Sequence, residues 1–71
     1  TVNTVSPGYV GTDMVMAVPE DVRAKIVAQI PVGRLGRPDE IAHAVAFFTG
    51  DEAAWITGAN LAINGGHYMG W

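Results

Sequence analysis

The sequence has 71 residues, of which 49% are hydrophobic and 15% charged, and its four Lys/Arg and seven Asp/Glu give a formal net charge of −3. That balance excludes the basic footprint of a nucleic-acid binder, and no apolar run reaches the ~20 residues a membrane-spanning helix needs. The lack of cysteine excludes a disulfide framework and a thiolate metal site.

At this length a single core rarely supplies more than ~3–5 kcal/mol, so a chain this apolar is expected to bury surface against further polypeptide. It begins at Thr1-Val2-Asn3 with neither an initiator methionine nor a targeting segment. A piece of a longer, soluble, cytoplasmic protein is the expectation.

In chain order, Thr1-Val2-Asn3-Thr4-Val5 is rich in β-branched residues and stops at Ser6-Pro7-Gly8, which predicts a strand running into a turn. Residues 9–18 read as an irregular apolar loop around Gly11 and Thr12. Pro19, expected at the first helical position, opens a helix with Glu20 and Asp21 at its positive end and an apolar stripe of Val22, Ile26, Val27 and Ile30; Pro31 stops it.

Residues 32–37 are a connector. Pro38-Asp39-Glu40 then repeats the start signal, Ile41, Val45 and Phe48 mark a second apolar face widened by Ala42, Ala44 and Phe47, and Gly50 is a natural stop. Asp51 and Glu52 open a short turn. Ala59-Asn60-Leu61-Ala62-Ile63-Asn64 is the second predicted strand, ended by Gly65-Gly66.

Apart from Asp13, the acids fall in three pairs at helix starts, which assigns them to the helix dipole. Neighbours on a helix point about 100° apart, so such pairs do not face one substrate. Two strands joined through helices are expected to lie parallel, with a right-handed crossover and the helices covering one face. A parallel pair with its other face bare is a poor independent domain.

Residues Val2 to Met14 (VNTVSPGYVGTDM) resemble the VNxVxPGxxxTDM segment that follows the sixth strand of short-chain dehydrogenase/reductases. Two further blocks, Ile30 to Ala42 and Ile56 to Gly66, match in the same order. The resemblance covers nearly the whole chain and implies an α/β fold: the C-terminal βαβ portion of a Rossmann-type, doubly wound parallel sheet, with residues 1–71 a C-terminal fragment of a single dinucleotide-binding domain. Within the family, residues 12–22 and 64–69 are most similar to reductases that convert acetoacetyl-CoA to 3-hydroxybutyryl-CoA in polyhydroxyalkanoate synthesis. The 3-oxoacyl-acyl-carrier-protein reductases of fatty acid synthesis share much of this wording.

The resemblance implies NADPH as cofactor, an acyl-CoA thioester as substrate and a homotetramer that uses the last helix and strand, with His67 to Trp71 at an interface. It assigns Pro7 and Gly8 to the face of the nicotinamide, the main chain near Val10 to its carboxamide, and Thr12 to the carboxamide or pyrophosphate. Proline fixes φ and glycine removes the Cβ, so main chain can approach a flat ring at the carboxyl end of a strand. The other reading of Thr12 is a local hydroxyl-to-backbone turn. Tyr9 is the candidate for lining the acyl pocket, with core packing as its rival. Gly11 to Ile30 corresponds to the family's mobile substrate lid, where Met14 and Met16, with Met69 in the tail, either meet a flexible acyl group or pack as core.

No catalytic residue is expected in this chain. Asp13 stands where a Tyr-x-x-x-Lys acid at Tyr9 would need lysine, and Tyr68 is followed by too few residues. Gly65-Gly66 lacks the third glycine and following helix of a dinucleotide fingerprint and reads as a turn. Ser6 lacks a hydrolase elbow, His43 and His67 lack zinc spacing, and Arg34 and Arg37 read as structural ion pairs or solvated groups before phosphate ligands. The isolated chain is thus expected to be inactive, and a purely structural segment is the alternative function.

Overall fold

The computed structural model describes residues 1–67. Strand β1 (Thr4–Pro7) leads through the short helix α1 (Asp13–Met16) to α2 (Glu20–Ala28) and α3 (Pro38–Thr49). A 3-10 turn at Asp51–Ala53 and strand β2 (Asn60–Ile63) follow. The expectations placed on Tyr68, Met69, Gly70 and Trp71 lie outside the described residues.

The strands pair in parallel, with Thr4 opposite Asn60 and Pro7 opposite Ile63. Each lies within about two or three residues of its predicted place. β1 runs on through Pro7 instead of ending before it, because the missing N–H faces away from β2. The ladder continues past the proline with the Gly8 N–H donating to Ile63 C=O at 2.9 Å. At the amino end, the Asn3 side chain donates to Ile56 C=O and accepts from the Ala59 N–H, both at 3.0 Å. One amide thereby fixes the register of the sheet.

Residues 9–18 are not wholly irregular. Thr12 caps α1 by accepting from the Val15 N–H, and Asp13 lies in its first turn. Arg23 on α2 reaches back to Met16 C=O at 2.8 Å, placing a cation at the carbonyl end of α1. Pro19 stands just before α2, as its extended N-cap (φ −54, ψ 144), and not at the first helical position. Pro38 does occupy that position in α3.

Of the two longer helices, α3 packs on β1, whereas α2 makes no comparable contact with the sheet or with α3. The expectation that the helices together cover one face therefore holds for α3 alone, with Ile41, Ala44 and Phe48 half-buried and Val45 and Phe47 exposed. Residues 13–30 form an arm attached mainly at its ends. The radius of gyration is 14.0 Å, against about 11 Å for a compact domain of this length.

Among the described residues only Ile30 and Ala53 are fully buried, while Val2 is 81% and Trp55 99% exposed. So little full burial falls short of the core that a domain of this length needs to stand alone. The 71-residue chain by itself is expected to show a broad, weakly cooperative thermal transition by circular dichroism and little amide protection in hydrogen exchange. A sharp two-state transition would contradict this reading of its packing.

Candidate functional site

Because the two strands are parallel, their carboxyl ends lie side by side, and the segments leaving them meet. Gly8 follows β1 and Asn64 follows β2. A β-carbon on Gly8 would stand 2.7 Å from Asn64 Cβ and 2.9 Å from its Cα, so glycine is required here by close approach of the neighbouring chain. This constraint stands beside the approach of a flat ligand that the resemblance implies.

Beyond Gly8 the chain is held by a second parallel contact, an isolated bridge between Val10 and Gly36. Gly36 N–H donates to Tyr9 C=O at 3.0 Å and Gly11 N–H donates to Gly36 C=O at 2.8 Å. In a parallel bridge the central residue's own amide groups point the other way. The Val10 C=O accepts there from the Thr12 N–H at 2.7 Å. The Thr12 hydroxyl, exposed, accepts from the Val15 N–H at 3.4 Å. The local hydroxyl-to-backbone turn is thus present, and it occupies a lone pair while the hydroxyl proton can still be donated.

Pro7, Gly8, Tyr9, Val10 and Thr12 therefore lie together at the carboxyl edge of the sheet, where open α/β sheets bind ligands. Tyr9, 43% exposed, lines a cavity of about 120 Å³ together with Ile63, Asn64 and Gly65 and with Val32, Arg34 and Glu40. Cavities for drug-sized ligands run from about 300 Å³ upward, so these residues make a wall and not a complete pocket.

Two of the lining residues are held by charge. Arg34 grips Glu40 with both guanidinium ends, Nη1 to Oε1 at 2.7 Å and Nη2 to Oε2 at 3.0 Å, and Glu40 also accepts from the Arg37 N–H at 2.9 Å. The last contact is the carboxylate half of a capping box at the start of α3. Arg37 pairs with Asp39 at 3.3 Å. Both arginines are thereby engaged in structural ion pairs. Ser6 donates its hydroxyl proton to Asn60 Oδ1 at 2.7 Å, a cross-strand contact.

Three residues gain roles that the sequence did not disclose. Asn3 fixes the register as described. Asn64 Oδ1 accepts from the Gly66 N–H at 2.9 Å, shaping the turn; an Asn before Gly-Gly is the signal that could have shown it. His67 packs its ring edge-on against Tyr9, with centroids 5.4 Å apart at 65°. Its partner is distant in sequence, so no local pattern announces it.

The hydrogen bond from Arg34, followed by that from the Arg37 amide, lowers the Glu40 pKa from 4.5 to about 2. A carboxyl depressed on folding contributes stability that is fully present above its unfolded pKa and is lost as pH falls through the folded one. In a folded protein carrying this chain, Glu40→Gln is expected to be less stable than the parent above pH 4.5, with the difference closing between pH 4.5 and about 2. Urea unfolding at a series of pH values checks it. A pH-independent difference would show that Glu40 acts without its charge.

A family model described as enoyl-(acyl carrier protein) reductase matches residues 1–68. The chain is 56% identical over 69 residues to the acetoacetyl-CoA reductase of Allochromatium vinosum, covering 97% of this chain and 28% of that protein. It is 59% identical over 69 residues to the 3-oxoacyl-(acyl-carrier-protein) reductase of Escherichia coli, with the same two coverages. The acetoacetyl-CoA reductase of Cupriavidus necator is 57% identical over 70 residues, 99% of this chain and 28% of that protein. The chain thus spans little more than a quarter of the length of these relatives. With its parallel α/β pair and a family match over almost every residue, the chain belongs to the short-chain dehydrogenase/reductase family.

Proposed function

We propose that this chain is the C-terminal part of a single dinucleotide-binding domain and forms one wall of the active site of an NADPH-dependent reductase acting on acetoacetyl-CoA. The observation that carries the reading is the junction at the carboxyl ends of β1 and β2, where Pro7 to Thr12 runs beside Asn64 and Gly65. The whole protein is, in this reading, a cytoplasmic homotetramer that makes 3-hydroxybutyryl-CoA.

The donor set fits the nicotinamide end of the cofactor. A carboxamide both donates and accepts, as do the main chain at Val10 and the Thr12 hydroxyl. Pro7 and Gly8 present a flat stretch of main chain without a bulky side chain at the strand end. Among the described residues no glycine-rich turn opens a helix, so the phosphates would be held by other parts of the protein. When bound, the cofactor supplies the hydride.

Tyr9 lines the cavity, and in this reading its ring orients the acyl group. The proton for the developing alkoxide comes from outside this chain, since Tyr9 has Asp13 and not lysine four residues on. A second reading, reduction of a 3-oxoacyl group on acyl-carrier protein, is supported by the 59% identity to the Escherichia coli enzyme, beside 56% and 57% to the acetoacetyl-CoA reductases.

Assay of the full-length protein with acetoacetyl-CoA and acetoacetyl-acyl-carrier protein, each with NADPH and NADH, tests both readings. Highest kcat/KM is expected with acetoacetyl-CoA and NADPH; preference for the carrier-protein substrate would select the second reading, and no thioester reduction would refute both. Thr12→Val is expected to raise KM for NADPH about 3- to 10-fold, as the loss of one hydrogen bond worth ~0.5–1.5 kcal/mol requires, with Thr12→Ser close to the parent. An unchanged KM in Thr12→Val would confine Thr12 to capping α1.

A further inference from the structure

We propose that His67 is a positioning residue that latches the carboxyl end of the α1–α2 arm to Tyr9, so that the arm and the acyl-facing side of the site are set together. The proposal rests on the reading above that Tyr9 lines the acyl pocket.

Residues 13–30 pack extensively on neither the strands nor α3, so the orientation of the arm is decided where it is tied down. Its amino end is tied by the Val10–Gly36 bridge. Its carboxyl end lies on the turn that follows β2. There the buried Ile30 sits so close that a β-carbon on Gly65 would be 2.8 Å from its Cγ2, and one on Gly66 would be 3.1 Å from Pro31 Cγ. Gly65 (φ 62) and Gly66 (φ 87) are both left-handed, which lets the turn fold under the arm without side chains in the way. The Val32 N–H donates to Gly65 C=O at 3.1 Å.

His67 completes this seat and extends it to the site. Its main-chain N–H donates to Asn64 C=O at 3.1 Å, fixing it on the turn. Its Nδ1 lies 3.3 Å from the C=O of Gln29, the residue that caps the end of α2. Carbonyls in the last turn of a helix have no partner within the helix, and a carbonyl only accepts, so the proton must reside on Nδ1. That proton is present in the Nδ1–H neutral tautomer and in the imidazolium alike, so the contact does not require the ring to be charged. The same ring meets Tyr9 edge-on at 5.4 Å, an arrangement that aromatic quadrupoles favour. One side chain therefore touches both the end of the arm and the residue that faces the acyl group.

The two contacts can be separated by substitution in the full-length enzyme. His67→Asn keeps a donor for Gln29 and loses the ring; His67→Phe keeps the ring and loses the donor. His67→Ala is expected to raise KM for acetoacetyl-CoA about 3- to 10-fold, with kcat and KM for NADPH within about twofold of the parent, and to speed amide exchange across residues 27–33. Because the latch needs both contacts, Asn is expected to restore the exchange but leave the thioester KM raised, and Phe to leave the exchange fast and the thioester KM still raised; full recovery of the thioester KM in Phe with the exchange still fast would overturn the coupling. Should His67→Ala fail to fold, the Asn and Phe variants carry the same split.

Tyr9→Leu is the control for the underlying reading. A shift in thioester KM in Tyr9→Leu with none in the His67 variants overturns the latch and leaves the placement of Tyr9 standing. An unmoved thioester KM in both overturns the latch and that placement together. Equal loss of kcat and of affinity for both substrates in every His67 variant also overturns it, since a merely structural role would give that pattern.

Discussion

Gly8 and Asn64 meet at the carboxyl ends of two parallel strands with no room for a side chain between them. Everything that gives this chain a site depends on that approach. Parallel pairing puts both strand ends on one edge, and the absence of a Cβ at residue 8 lets the two exits run side by side. Tyr9 and Val10 then leave in one direction while Gly65 and Gly66 turn back beneath the arm. A larger residue at position 8 would push the exits apart and open the cavity beside Tyr9, with an overpacking cost of about 1–3 kcal/mol.

Around this junction the chain is organised by polar contacts more than by a core. Asn3 holds the amino end of the sheet in register. Arg34 and Glu40 tie the connector to the start of α3 and line the cavity. Arg23 joins α1 to α2. Full apolar burial is confined to Ile30 and Ala53 among the described residues, and Val2, Met14 and Trp55 stand largely in solvent. A hydrophobic fraction of 49% with so little of it covered is the composition of a surface that expects neighbours.

The longer elements were legible because their signals are local. Pro38-Asp39-Glu40 and Gly50 bracket α3, and the acids after Pro19 mark α2, with Pro19 one place outside the helix it introduces. The three motif blocks carried the family. Helix α1 was missed although Thr12 and Asp13 are a capping residue and a first-turn acid, because Met14, Val15 and Met16 read as a loop covering something. A second constraint on Gly8 was not legible for a different cause: it comes from Asn64, 56 positions along the sequence. His67 was invisible for the same cause, since Tyr9 and Gln29 are brought to it only by the fold. Contacts of this kind have no periodicity to read.

In the proposed account, Pro7 to Thr12 takes the nicotinamide end of NADPH at this sheet edge, with the phosphates and the proton donor supplied by the rest of the protein. Hydrogen exchange on the full-length protein with and without NADPH measures this directly. The account predicts that NADPH slows amide exchange across residues 8–13, with little change in residues 51–58 around the 3-10 turn. Unchanged exchange across residues 8–13 at saturating NADPH would contradict it.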